Sequence, residues 1–153
     1  MREKKTVELG NIRLDEQRSV METIVKDAVC PFCPEHLKKY HKKPIFMENA
    51  SWILTQNQWP YEGAEVHFLL ILKRHEENIE ELLPSEWADF GELVRRARNI
   101  TPLSGGLVGM RFGDPTFSGA TVRHLHAQII FPRVDPETNL PFQVPLWTGT
   151  RPK

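Results

Sequence analysis

Ser118-Gly119-Ala120-Thr121-Val122-Arg123-His124-Leu125-His126-Ala127-Gln128-Ile129-Ile130 alternates polar and apolar side chains from His124 onward. On a strand, successive side chains point to opposite faces. His124, His126 and Gln128 then share one side, while Leu125, Ala127 and Ile129 enter the opposite packing layer. Taken alone, this is equally the pattern of a half-exposed strand whose solvent face holds imidazoles. The strand is expected from Val122 to Phe131, with Gly119 before it and five prolines between Pro132 and Pro152 after it, which mark an extended tail.

Upstream, Gly105-Gly106 opens an expected strand, Leu107 to Phe112, which Gly113-Asp114-Pro115 closes. Ser85 precedes Trp87, Phe90, Leu93, Val94 and Ala97, the spacing of an amphipathic helix capped by Ser85 and ending near Asn99. Val66 to Leu72 is almost continuously apolar, as in a strand buried on both faces. Its expected partner is Ser51 to Thr55, with a short strand at Ile45 to Glu48. Glu35 to Pro44 is basic and Pro-interrupted and reads as a surface loop. Val20, Met21, Ile24, Val25 and Ala28 fall at helical spacing behind Asp15 as N-cap. The expectation is α+β: an antiparallel sheet of about five strands with two main helices, the strands being grouped rather than alternating with helices. Residues 1–14 read as an N-terminal arm, 15–131 as the domain and 132–153 as a Pro-rich C-terminal tail.

A chain of 153 residues is one domain with a core that needs no disulfide. Twenty basic residues balance twenty acidic ones, so no net field favours a nucleic acid backbone or an anionic membrane. With four Trp, eight Phe and 40% hydrophobic residues, disorder is excluded. No apolar run reaches the roughly eighteen residues of a membrane span, and no signal-peptide pattern follows Met1, so a cytoplasmic protein is expected. Cys30 and Cys33, the only cysteines, form one Cys-Pro-Phe-Cys. In a reducing compartment that is a metal half-site or a redox pair. The redox reading is weak, because no thioredoxin-like strand precedes it.

These motifs together resemble the histidine-triad (HIT) superfamily, whose last strand carries His-x-His-x-His or His-x-His-x-Gln. His67-Phe68-Leu69-Leu70-Ile71-Leu72-Lys73-Arg74-His75 is similar to the family strand that begins at a site histidine and ends in Lys-Arg-His. Asn57-Gln58-Trp59-Pro60-Tyr61 resembles the turn before it, and Cys30-x-x-Cys33 resembles the zinc-bearing members. The resemblance covers about Cys30 to Phe131 in order and implies a HIT-like fold. It also implies that His126 is a nucleophile attacking the α-phosphorus of a nucleoside phosphoanhydride, through a nucleotidyl-histidine intermediate. His67 and Gln128 would support it, with Asn57, Trp59, Thr121 and Gln128 lining the nucleotide and phosphate site.

Gln at the third position is typical of the transferase branches, such as galactose-1-phosphate uridylyltransferase and the diadenosine tetraphosphate phosphorylases. A transferase or phosphorylase is therefore favoured, the alternatives being a hydrolase with water as acceptor or a zinc-stabilised nucleotide-binding module with little turnover. Ala120 departs from hydrolase-type members, which commonly carry Gln there, and Arg123 is expected on solvent or a dimer surface. By the same resemblance, Cys30, Cys33, His75 and His124 hold a structural Zn2+. A local alternative uses His36 and His41 with the cysteines. A homodimer is implied, with Trp87, Phe90 and the Leu107 to Phe112 strand as candidate interface. The implied partner is a nucleotide, with no nucleic acid and no membrane.

Overall fold

A computed structural model describes residues 5–150. In chain order the elements are α1 (Asp15–Asp27), α2 (Pro34–Tyr40), β1 (Ile45–Glu48), β2 (Trp52–Gln56), β3 (Ala64–Leu72), α3 (Pro84–Asn99), β4 (Leu107–Arg111), the single turn α4 (Pro115–Ser118) and β5 (His126–Pro132). The strands form one antiparallel sheet in the order β1-β2-β3-β5-β4. The fold is α+β, with the expected five strands.

Register decides what each face carries. Directly opposed residues share a face, and β3 pairs with β5 as Leu70↔Ala127, Phe68↔Ile129 and Leu69↔Gln128. One face therefore collects Trp52, Leu54, Phe68, Leu70, Leu72, Ala127, Ile129 and Phe131, which pack with Leu93 and Ala97 of α3. This is the dry layer. The other face carries Ile53, Leu69 and Ile71 beneath Leu37 of α2, and next to them the polar residues His67, His126 and Gln128, all buried. Helix α1 roofs a neighbouring cluster through Met21 and Ile24. Gly106, before β4, lets the edge strand close on β5, because a Cβ there would collide with the Ile130 carbonyl.

Several boundaries differ from the expectation. Glu35–Tyr40 is helical rather than loop: Pro34 occupies the first helical position, where its missing N–H costs nothing, and Leu37 and Tyr40 turn inward one above the other. Helix α3 starts at Pro84 with Leu83 as N-cap, so Ser85 is not the cap. The Glu86 carboxylate instead accepts the Leu83 N–H (2.9 Å) while ion-pairing with Arg74 (2.6 Å). Helix α1 likewise includes Asp15, and the Gln17 side chain accepts the Arg13 N–H. Strand β5 begins at His126, not Val122, because the backbone N–H groups of Arg123 and Leu125 are engaged outside the sheet. Val122 bridges Val7, Arg123 donates to the Thr6 carbonyl, and Leu125 donates to the Glu76 carbonyl.

The flanking segments lie on this framework. Val7 is fully buried, and Asn11 donates to the carbonyls of Pro115 and Ala120. The C-terminal segment turns back through a Val134↔Pro141 bridge and returns to α4, where Gly149 donates to the Phe117 carbonyl. Residues 1–4 of the expected arm and 151–153 of the expected tail lie outside the described residues.

Candidate active site and candidate metal centre

His126 opens β5 and is buried. Its Nδ1–H donates to the carbonyl of His124 at 2.7 Å, since a carbonyl only accepts. That bond fixes the tautomer and leaves the lone pair on Nε2. Burial lowers the His126 pKa and the nearby Arg111 charge lowers it further, against the opposing effect of the His124 carbonyl. The imidazole is therefore neutral at physiological pH, with the Nε2 lone pair free. Phe32 stands edge-on to it with ring centroids 5.0 Å apart.

A second chain of bonds orients Gln128. The Tyr61 backbone N–H donates to Nδ1 of His67 (3.1 Å), so the hydrogen of neutral His67 sits on Nε2 and is donated to Oε1 of Gln128 (2.9 Å). The Gln128 carbonyl is thereby engaged, and its NH2 group is the part left to donate to a ligand. Asn57 lies 3.0 Å from His67 through Nδ2 and accepts the Trp59 N–H on Oδ1 (2.8 Å). Asn57 thus braces the turn as well as facing the site.

Burial lowers the His67 pKa from 6.5 to about 4, outweighing the opposing Gln128 bond. The sign follows: neutral His67 stabilises the fold fully above 6.5, and that contribution is lost as pH falls towards about 4. At 1.36 kcal/mol per pKa unit the loss is about 3 kcal/mol. Urea unfolding of chelator-treated protein is expected to show the wild type losing this much more stability than His67→Gln between pH 7.5 and 4. Parallel pH profiles for the two proteins would refute it.

His126 and Gln128 line a small cavity of 80 Å³ whose walls include Asn57, Trp59 and Thr121, and Arg13, His41 and Arg111 also line it, while His67 stands behind Gln128 and Asn57. All six residues expected at the active and nucleotide site, His126, Gln128, His67, Asn57, Trp59 and Thr121, are thus brought together. Sequence reading missed Arg111, Phe32 and Tyr61. Arg111 carried no local motif and is found only through its pairing opposite His126. Arg123, expected on solvent or a dimer surface, is half-buried, with a buried Nε that has no hydrogen-bond partner among the described residues.

On the far side of His124, four ligand-type atoms of Cys30, Cys33, His75 and His124 lie within 4.8 Å of one another. Sγ of Cys30 is 3.3 Å and Sγ of Cys33 is 3.8 Å from Nδ1 of His124, and Cys33 is 3.5 Å from Nδ1 of His75. A tetrahedral ion with bonds of about 2.0–2.3 Å separates its ligands by about 3.3–3.8 Å, so the set fits zinc. Each histidine is oriented from behind. His124 donates Nε2–H to the Leu72 carbonyl (2.6 Å), and Nε2 of His75 faces Glu77 at 3.5 Å, leaving Nδ1 for a metal. Both cysteines are free thiols, and burial pushes the Cys33 pKa up to about 12, so metal binding must displace protons. The alternative ligands are directed elsewhere: His41 donates to Thr55 (2.7 Å), whose own hydroxyl is donated to Pro44, and His36 neighbours Glu35.

No protein-family model matches the chain, and no curated protein matches it. Solved structures do. A HIT family hydrolase from Clostridium thermocellum is 26% identical, over 70% of this chain and 92% of that one, at a TM-score of 0.53. A zinc-bound histidine triad family protein from Mycobacterium smegmatis is 20% identical over 72% and 79%, with a TM-score of 0.54. A histidine triad nucleotide-binding protein from Candida albicans is 23% identical over 78% and 85%, with a TM-score of 0.50. The fold is that of the histidine-triad proteins, which supports the superfamily resemblance; no branch within it is singled out.

Proposed function

We propose that this chain, with its histidine-triad fold, is a nucleotide-processing enzyme acting at the α-phosphorus of a nucleoside phosphoanhydride. The observation carrying this is the His126 tautomer, locked by the His124 carbonyl so that Nε2 keeps its lone pair, beside a Gln128 amide whose carbonyl is already engaged by His67. In the first step Nε2 bonds to the α-phosphorus and the bridging oxygen leaves with the electron pair of its P–O bond. The Nδ1–H bond to a fixed carbonyl stabilises the positive charge that the ring acquires. The Gln128 NH2 donates to a nonbridging oxygen without bringing charge or a titrating proton. In the second step an acceptor oxygen bonds to phosphorus while the P–N bond breaks and its electron pair returns to Nε2, any proton on the acceptor passing to solvent, so that His126 regains its neutral form.

Gln128 favours a phosphorylase or other transferase, and the neighbouring hydrolase favours water as acceptor. Product analysis of a dinucleoside polyphosphate with and without inorganic phosphate separates them. Incorporation of added phosphate into a nucleotide product is the expected result. Phosphate-independent release of nucleoside monophosphate would assign hydrolysis, and no cleavage under either condition would leave a nucleotide-binding module.

In the same proposal Cys30, Cys33, His75 and His124 hold a zinc ion, which when bound cross-links the Cys-Pro-Phe-Cys loop to the end of β3 and the approach to β5. The catalytic unit comprises residues 15–131 together with Arg13, which lines the cavity from the preceding segment, and no described helix is long and apolar enough to cross a membrane. A homodimer is supported by exposed Leu107 and Val108 on the edge strand β4, by Phe112 just beyond it, and by exposed Trp87 on α3. Light scattering at twice the chain mass is expected.

A further inference from the structure

Resting on His126 as the nucleophile, we infer that Arg111 and Arg13 form a second anion subsite, which takes the phosphates beyond the α-phosphate and defines the substrate as a nucleoside polyphosphate with an anionic leaving group. Arg111 ends β4 directly opposite His126. Opposed residues of antiparallel strands project from the same face with Cβ atoms about 4.5–5.5 Å apart. Gly109 is the residue opposite Gln128 and puts no side chain over it.

The guanidinium is fixed rather than mobile. Nη1 of Arg111 donates to the carbonyls of Ser118 and Trp147, and Nη2 lies 3.4 Å from the Tyr61 hydroxyl. Gly119 permits this approach: its φ is +72° and a Cβ there would sit 3.0 Å from Nη1. Three contacts leave two of the five guanidinium N–H donors for a ligand. Arg13 stacks on the Tyr61 ring at 4.2 Å and donates to the Trp59 carbonyl (2.5 Å).

Both arginines line the cavity over His126 and Gln128, and both also line an adjoining cavity of 390 Å³. A phosphate chain anchored at Nε2 of His126 therefore passes two cations as it enters the larger space. Among the described residues lining that space, Glu62 is the one acidic side chain beside Arg13 and Arg111. The chemistry calls for this placement. When the bridging oxygen leaves with the P–O electron pair, negative charge grows on the departing phosphate, and a permanently charged guanidinium neutralises it without any proton transfer. A leaving group that departs as a neutral amine has no use for two arginines there.

Isothermal titration with inorganic tripolyphosphate and, separately, AMP tests the subsite without requiring turnover. Wild type is expected to bind tripolyphosphate, Arg111→Gln at least tenfold more weakly, and Arg133→Gln, an exposed arginine over Phe142, as wild type does. AMP affinity is expected to stay within threefold in Arg111→Gln. Absence of tripolyphosphate binding by wild type overturns the inference. So does an unchanged affinity in Arg111→Gln, or an equal loss for both ligands, which would make Arg111 a prop for the C-terminal segment alone. Turnover of a dinucleoside polyphosphate by wild type reports the nucleophile separately: tripolyphosphate binding with the expected Arg111 dependence in a protein with no turnover keeps the subsite and removes the enzyme.

Discussion

His126→Ala is expected to lower kcat for a dinucleoside polyphosphate by on the order of 10⁴-fold or more while nucleotide affinity changes little. Without Nε2 the acceptor must displace the leaving group directly, in a site built to align an imidazole with phosphorus, and a 10⁴-fold loss corresponds to about 5.5 kcal/mol of transition-state stabilisation. Affinity persists because Gln128, Thr121 and the arginines remain in the cavity walls. The substitution releases one hydrogen bond to the His124 carbonyl and opens space beside Phe32, so the melting temperature must be recorded alongside. A second readout looks for the covalent species itself. Wild type mixed with labelled substrate and quenched in alkali should retain label that acid removes, as expected of a P–N bond, and His126→Ala should retain none. Full activity in a folded His126→Ala protein would remove the nucleophile from the mechanism.

Metal removal is expected to have the largest effect on stability. Purified protein should carry about one zinc per chain, and chelation should lower its melting temperature by about 8–16 °C. This follows from about 4 kcal/mol of stabilisation at free zinc near a thousand times the dissociation constant, spread over a chain of this size. The buried positions of Cys30 and His124 mean that the empty site leaves thiols and an imidazole without an ion to satisfy them. Cys33→Ser should bind zinc weakly and melt like the chelated wild type. Activity should fall with the metal, because the acceptor that orients His126 is the carbonyl of His124, itself a proposed ligand. Metal analysis well below one zinc per chain, or an unchanged melting temperature after chelation, would refute the assignment.

Helix α3 and strands β2 and β3 could be read from the chain because their apolar spacing is a local consequence of backbone geometry. Helix α2 could not, since seven residues hold only Leu37 and Tyr40 inward and a leading proline resembles a break as much as a start. His124 is expected on one strand with His126, yet it lies outside β5. The backbone before His126 is drawn to Val7, Thr6 and Glu76, partners far away in sequence. Arg111 shows the same limit, because nothing near it marks a site until β4 registers against β5.

The period-two alternation at His124-Leu125-His126-Ala127-Gln128, the apolar stretch ending at Leu72 and the spacing of Cys30 and Cys33 were legible without coordinates, because each is set by bonds within a few residues. Three matters waited for the folded chain: which ring nitrogen of His126 is free, which end of the Gln128 amide is already engaged, and which cation stands beside His126. Each depends on a partner brought close only by long-range pairing: the His124 carbonyl turned by the approach to β5, His67 arriving on β3, and Arg111 at the end of β4. Local covalent geometry sets periodicity, whereas tautomers, amide orientation and charge placement follow from contacts that exist only once the sheet has closed.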